Sequence, residues 1–355
     1  MNASSNCCVF GGGQFESLSS IICIEFILGM IGNGVALWIF CFCLKPWKSS
    51  TVFLFNLALA DFLLNVILPF RASYYLMGRD WIFGDVFCRI SLFMLAMNRC
   101  GSILFLTAVA VDRFLRVVHP HHPLNSMSVR KTVGAACAIW ALTISQTAHL
   151  MFDTHITKSG NLTQCESFQI CETSNHLSWH KFIFVFSFYL PLAIILFCTI
   201  RIITQLKNRQ MDKDQRIRRT LRFIIVVVVV FFLCFFPSNL TQVVIWIKVT
   251  FYPGLCEDYD VLQTVFFYMI SLTYLNSALD PIVYYFYSPT FKKICQKQFK
   301  RLWKKAEVPI LKPHLQRRST CYEIPLTSGG SRKFYMGWQE MLAGWHGGQY
   351  VGVLI

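Results

Sequence analysis

The chain has 355 residues, of which 55% are hydrophobic and 14% charged, with 33 Lys plus Arg against 18 Asp plus Glu and a formal net charge of +15. Those proportions exclude a disordered chain, a coiled coil, a collagen-like rod and an ordinary soluble enzyme, and a mean hydropathy of +0.48 spread along most of the length requires lipid around the apolar surface. Basic excess would suggest nucleic acid in a soluble domain, but here the cations fall between hydrophobic runs, so no nucleic-acid partner is expected.

A hydrocarbon core of about 30 Å takes roughly 20 helical residues, and seven runs of that kind follow in order. They are Leu18 to Cys43, Thr51 to Leu76, Cys88 to Val117, Thr132 to Phe152, Phe182 to Leu206, Leu221 to Ile247 and Val261 to Phe286. The predicted fold class is therefore an all-α membrane protein, a seven-helix transmembrane bundle over 18–287. Residues 1–17 form an extracellular N-terminus, 288–305 a short amphipathic helix on the membrane surface, and 306–355 a cytosolic tail expected to be disordered.

Of the 33 basic residues, 26 lie in or beside the connectors after spans one, three and five and beyond span seven, and the other seven are Arg71, Arg79, Arg89, Arg99, Lys158, Lys181 and Lys248, inside a span or on the opposite side. That asymmetry puts the N-terminus outside and the C-terminus in the cytosol of a multi-pass plasma-membrane protein. Residues 1–17 have neither a basic nor an apolar signal region, so span one is expected to act as its own anchor. Asn2 and Asn161 open glycosylation triplets on predicted extracellular segments; the triplet at Asn239 sits inside span six and should be silent.

Six of the 15 cysteines fall on those extracellular segments: Cys7, Cys8, Cys88, Cys165, Cys171 and Cys256. An even number in an oxidising compartment allows up to three disulfides, in about fifteen connectivities. The pair singled out is Cys88, at the mouth of span three, with Cys165. If Cys7 and Cys8 then take Cys171 and Cys256, the N-terminus is laced to two loops as a lid.

Among the buried charges Arg99 stands out, since it lies about 16 Å down span three from Cys88 at 1.5 Å per residue and cannot lose its proton. An unpaired cation at that depth costs about 3 kcal/mol or more. Two partners are open: Glu25 of span one, or the carboxylate of an incoming ligand, which a guanidinium grips through two parallel hydrogen bonds. Arg71, two residues past Pro69, is either a second cation at the rim or a snorkelling interface residue. Trp81 is loop packing or ligand wall.

The span interiors carry Gly32-Asn33, Leu57-Ala58-Leu59-Ala60-Asp61, Asp112-Arg113-Phe114, Trp140, Pro191, Cys234-Phe235-Phe236-Pro237 and Asp280-Pro281-Ile282-Val283-Tyr284 in that order. With seven spans and a cysteine atop span three, the chain over residues 18–300 resembles a rhodopsin-like G-protein-coupled receptor. Local strings such as Phe93-Met94-Leu95-Ala96-Met97-Asn98-Arg99, Val117-Val118-His119-Pro120-His121-His122 and Leu272-Thr273-Tyr274-Leu275-Asn276-Ser277 resemble the hydroxycarboxylic acid receptors and the adjoining oxoeicosanoid receptors.

That resemblance implies a receptor for an extracellular carboxylic acid, or for a fatty-acid-derived hydroxy or oxo acid, signalling through inhibitory Gi/o heterotrimeric G proteins. Arg99 would anchor the carboxylate and Tyr274 would donate to it, with Ser167 and Phe168 closing the pocket from above and Arg71 near its rim. One departure matters: small-acid members have a basic residue five positions after the span-six proline, where this chain has Gln242, so a longer acid with a tail on apolar walls is admitted.

Resemblance also implies that Asp61, Ser102, Asn276 and Asp280 converge on an allosteric sodium ion, with no required cofactor; a protonated or water-bridged network is the alternative. At the cytosolic end Asp112 would hold Arg113 until a partner claims it, while Phe235 and Pro237 let span six hinge and Tyr284 completes the switch. The acid that often latches this arginine from the foot of span six is missing, so a looser resting state with basal signalling is expected. A cleft lined by Arg209, Arg216 and Arg218 would then take a G-protein helix. Beyond span seven, the basic face of the amphipathic helix suits anionic lipid, Cys295 is a candidate palmitoylation site, and tail residues Ser319, Thr320, Thr327, Ser328 and Ser331 are candidates for receptor kinases and hence arrestin.

Rival classes fit less well. A transporter of organic anions would show repeat symmetry or several charges along one path. An enzyme would need a nucleophile with its base or a metal set, and His149, His119, His121 and His122 stand at span ends without partners at ligand spacing.

Overall fold

The computed structural model describes residues 15–160, 162–167, 177–208, 215–251, 256–288, 290–298, 300–301, 322–323 and 333–334. The chain divides into two units, 1–292 and 293–355. In the first, α1 (Glu16–Trp38) continues into a π-helical turn (Ile39–Cys43) and is followed by α2 (Ser49–Leu76), α3 (Asp85–Val118), a 3-10 turn (Pro123–Ser126), α4 (Val129–Thr147) and the short α5 (His149–Phe152). A hairpin of β1 (Ile156–Ser159) and β2 (Leu162–Cys165) precedes α6 (Leu177–Asn208), α7 (Gln215–Phe251) and α8 (Cys256–Tyr287). The second unit holds helical residues 293–298 and 300–301 and an antiparallel pairing of β3 (Tyr322–Glu323) with β4 (Lys333–Phe334).

The predicted spans thus correspond to α1, α2, α3, α4 with α5, α6, α7 and α8. Each predicted run lies within its helix or helices, which extend most of the runs by a few residues into the interface. Among the described residues, five of them, α1 with its π-turn, α2, α3, α6 and α7, are long and apolar enough by length and composition to cross a membrane. Lipid-facing side chains are apolar, as Ile24, Ile27, Leu28 and Ile31 on α1 and Phe186, Leu190, Phe197 and Ile200 on α6 show.

Small residues set how closely the helices approach. A Cβ on Gly29 of α1 would lie 2.6 Å from Asn65 Oδ1 and 2.7 Å from Ser277 Oγ, and one on Gly32 would lie 2.6 Å from Pro281 Cγ. α1 is therefore seated directly against α2 and α8, an arrangement tied by Asn33 Nδ2 donating to the Ser277 carbonyl at 2.6 Å. Trp140 donates through Nε1 to Asn56 Oδ1 at 2.8 Å, joining α4 to α2. Prolines sit inside α2 (Pro69), α6 (Pro191), α7 (Pro237) and α8 (Pro281), each removing one backbone donor.

Candidate functional site

The extracellular end is built as a roof over the bundle. Cys88 at the start of α3 is disulfide-bonded to Cys165 at the end of β2. The α2–α3 loop is zipped to the same hairpin, since Trp81 N donates to Thr163 O at 2.7 Å and Asp80 Oδ1 accepts from Thr163 N at 2.9 Å. Gly78 and Arg79 both adopt positive φ (66° and 72°), which turns the chain off α2 and drives the Arg79 side chain inward. There its Nε and Nη2 donate to Glu166 Oε1 at 3.0 and 2.5 Å, and its guanidinium lies 4.8 Å from the Phe267 ring and 5.6 Å from the Phe15 ring. Tyr74 also donates to Glu166 Oε1 at 2.9 Å, and Gln263 Nε2 donates to Oε2 at 3.4 Å. Burial disfavours the Arg79 cation, but the facing carboxylate outweighs it and holds the Arg79 pKa above its ordinary value. Trp81 is buried among Tyr74, Phe83 and Phe87, which is loop packing.

Arg71 is buried at 5% exposure, with Nη1 donating to Cys165 O at 2.9 Å and its plane over the Tyr74 and Tyr75 rings. The snorkelling alternative is therefore set aside: this guanidinium faces the bundle, not lipid headgroups. Below it, Tyr274 of α8 is buried and lies within electrostatic reach of both Arg71 and Arg99. Ser167 is half-buried in the bend after Glu166; Phe168 lies outside the described residues.

Arg99 is half-buried, and the Arg99 to Glu25 pair is not made. Its Nη2 donates to Asn239 Oδ1 at 2.8 Å, its Cζ stands 4.1 Å from the Phe184 ring centroid, and its Nε has no partner. Among the described residues, no carboxylate forms an ion pair with it. Asn239 is itself fixed by donating to the Phe235 carbonyl at 2.6 Å, the carbonyl four residues back along α7. Glu25 is buried at 3% exposure, with Oε2 unpartnered. Gln242, also buried, has Oε1 unpartnered.

Deeper in the bundle, Asp61 Oδ1 accepts from Asn98 Nδ2 at 3.0 Å and from Ser102 Oγ at 3.5 Å, and Tyr284 donates to Oδ2 at 3.3 Å. Asp280 faces Asp61 and accepts from Asn276 Nδ2 at 2.9 Å. The four predicted residues are thus neighbours. Asn276 Oδ1 and Asp280 Oδ1 remain buried without partners, so an oxygen-rich centre with two facing carboxyls wants a proton or a cation.

At the cytosolic end Asp112 accepts from Arg116 Nε at 3.0 Å through both oxygens and from Ser50 Oγ at 2.9 Å. Arg113 reaches the same carboxylate at 3.6 Å, so Asp112 serves Arg116 first and its neighbour second. Phe235 is fully buried against Phe231. Cys295, in the second unit, is a free, half-buried thiol whose pKa burial raises. Asn2, Asn161, Cys7, Cys8, Cys171 and Arg209 lie outside the described residues, as do the side chains of Cys256, Arg216 and Arg218.

A bundle with five helices apolar enough to cross a membrane among the described residues, a roof disulfide and a polar core on α2, α3 and α8 matches a known architecture, and the profile of the 7 transmembrane receptor (rhodopsin family) covers residues 32–284. The chain belongs to the rhodopsin family of seven-transmembrane receptors. Within that family it belongs with the hydroxycarboxylic acid receptors: it is 51% identical to hydroxycarboxylic acid receptor 2 of Homo sapiens over 81% of this chain and 78% of that one. Identity to hydroxycarboxylic acid receptor 1 of Homo sapiens is 42% over 93% and 92% of the two chains. Oxoeicosanoid receptor 1 of Homo sapiens matches at 39% over 77% of this chain and 70% of its own length. The receptor is thus a multi-pass plasma-membrane protein of a non-enzymatic family, which sets the transporter and enzyme alternatives aside.

Sequence reasoning placed Arg99, Asp61 and the cysteine pair because each is conspicuous in an apolar run. It missed Asn239, Asn98 and the Arg79 to Glu166 pair. Asn239 and Asn98 did carry a signal, each being a lone amide deep in a span, where polar side chains seek partners.

Proposed function

We propose that this receptor binds an extracellular carboxylic acid and passes the signal to inhibitory Gi/o proteins. The observation that carries the reading is Arg99: a permanently charged, half-buried guanidinium held, among the described residues, by a neutral amide and an aromatic face, with a donor left over. A ligand carboxylate supplies the missing anion through charge-assisted hydrogen bonds, and Tyr274, within electrostatic reach of Arg99, would donate a further one. The curated relatives named for hydroxycarboxylic acids support the ligand class.

Gln242 favours a second reading within the same class. Where small-acid relatives carry a cation, this chain has a buried neutral amide, so a longer hydroxy or oxo fatty acid would gain from burying its tail, about 0.8 kcal/mol per methylene. The relative named for oxoeicosanoids is in keeping with that alternative. An allosteric sodium ion would be held by Asp61, Ser102, Asn276 and Asp280, whose oxygens fit a hard monovalent cation. When bound it supplies positive charge between the two carboxyls. Cys295 is the proposed acylation site beside the membrane.

The test is G-protein activation across acids from lactate through hydroxyoctanoate to hydroxy- and oxo-eicosanoids, at matched surface expression, in the parent and Arg99→Ala. One acid class should activate the parent and lose its effect in the variant. Equal responses in both would refute the anchor.

A further inference from the structure

The foot of α7 lacks an acid to latch Arg113, because Ile217, Arg218 and Arg219 occupy that stretch. The adjacent Asp112 holds Arg116 and Ser50 at 2.9–3.0 Å and reaches Arg113 only at 3.6 Å. Arg113 is nevertheless not loose. Its Cζ lies 4.1 Å from the ring centroid of Tyr287, the last residue of α8, and 5.8 Å from that of Phe223 on α7. The two rings meet edge to face, with centroids 5.1 Å apart and planes at 74°. The remaining polar contacts, both from Arg113 Nη2, are long: 3.5 Å to Ser50 Oγ and 3.6 Å to Asp112 Oδ2.

We propose that Tyr287, backed by Phe223, is a positioning residue of the cytosolic switch: an aromatic clasp that holds the Arg113 guanidinium in the resting bundle in place of an acid at the foot of α7. A guanidinium over an aromatic face is attracted by the ring quadrupole, more strongly as water is excluded, and Phe223 is buried at 2% exposure. The clasp joins α3, α7 and α8. Outward movement of the α7 foot carries Phe223 off the Tyr287 edge and unbacks the ring, so the arginine is released by the same displacement that opens the cleft to a partner. An ionic latch is weakened by salt and by protonation of its acid; the aromatic clasp has no acid to protonate. This inference rests on reading Arg113 as the group a G protein claims, and not on the identity of the ligand.

The test uses full-length receptor without ligand. Tyr287→Leu should raise basal Gi/o nucleotide exchange about fivefold per surface receptor, the population shift expected when a partly desolvated cation–π contact is lost. Tyr287→Phe, which keeps the ring, should stay at the parent level. Hydrogen exchange of the cytosolic half of α7 in purified receptor should quicken in Tyr287→Leu and remain slow in Tyr287→Phe, whichever G protein couples. Should Tyr287→Leu fail to reach the surface, Phe223→Leu tests the clasp from the α7 side with the same two readouts. Unchanged basal exchange together with unchanged α7 protection in a folded Leu variant overturns the proposal. So does a Phe variant as active as the Leu variant, which would assign the effect to the hydroxyl. A receptor silent to every acid but showing the Leu-versus-Phe difference in α7 protection refutes the ligand reading alone.

Discussion

At the scale of single residues, the pocket turns on the neutrality of Asn239. Because Asn239 Oδ1 sits 2.8 Å from Arg99, Asn239→Asp places a carboxylate where the amide now is and makes an internal ion pair. A charge-assisted hydrogen bond is worth roughly 1.5–3 kcal/mol net, so acid potency should fall about tenfold to a hundredfold in dose–response curves while surface expression holds. An unchanged potency would mean that the ligand anion lies elsewhere. His155 offers a second residue-level test. It is buried under the hairpin with Nε2 unpartnered, facing Asp153, Asp85 and Arg89, and burial lowers its pKa from 6.5. The folded state therefore binds its proton less readily than the unfolded one, so its contribution is fully present above about pH 6.5 and declines as pH falls through the folded value. Thermal melts between pH 7.5 and pH 5 should show parent stability dropping, with a shallower drop in His155→Gln. These residues also mark where sequence reading reaches its limit. A lone arginine in an apolar run declares itself by its solvation cost, but the asparagine that holds it looked like a silent glycosylation triplet, and only the juxtaposition of α3 and α7 gives it a role.

At the scale of elements, α1 and α8 approach through glycine. Gly32→Val would drive methyl groups into the Pro281 ring, a fixed group that cannot rotate away from a Cβ 2.6 Å distant. Overpacking of that kind costs about 1–3 kcal/mol, and the expected result is reduced surface expression and a lower melting temperature, with Gly32→Ala milder. Helix identity and order were readable because hydrophobic length alone fixes them. Helix ends were not, since interfacial side chains continue each helix past its apolar run. Tyr287 shows the cost: an aromatic at a span end reads as part of the interface belt, and nothing local distinguishes it from a ring seated under an arginine.

At the scale of the whole molecule, the roof is a network joining Phe15 at the head of α1, α2, the α2–α3 loop, the segment after β2 and α8, centred on Glu166 and pinned beside the Cys88 to Cys165 bond. Arg79→Ala leaves a buried carboxylate with only Tyr74 and Gln263 to hold it. Removing one partner of a buried pair costs about 3–5 kcal/mol, so the variant should melt well below the parent in detergent. A shift within error would show the roof to be held by the disulfide alone. The cysteine pair was legible because few residues can serve as a covalent staple. The ion pair was not, because its partners stand 87 positions apart on two loops with nothing in either to name the other.

The placement of Glu25 bears on how the receptor is made. Its neighbours on the helix, Ile24, Ile27 and Leu28, are turned outward, while Glu25 is buried, one turn before Gly29 where α1 abuts α2 and α8. During synthesis α1 enters the membrane first and α8 last, so for most of translation this side chain has no finished interior to occupy. A carboxylic residue at mid-span costs about 3 kcal/mol to insert alone. The nascent first helix is therefore pressed to stay with the insertion machinery until α2 emerges, and one acidic side chain doubles as a checkpoint on the order of assembly.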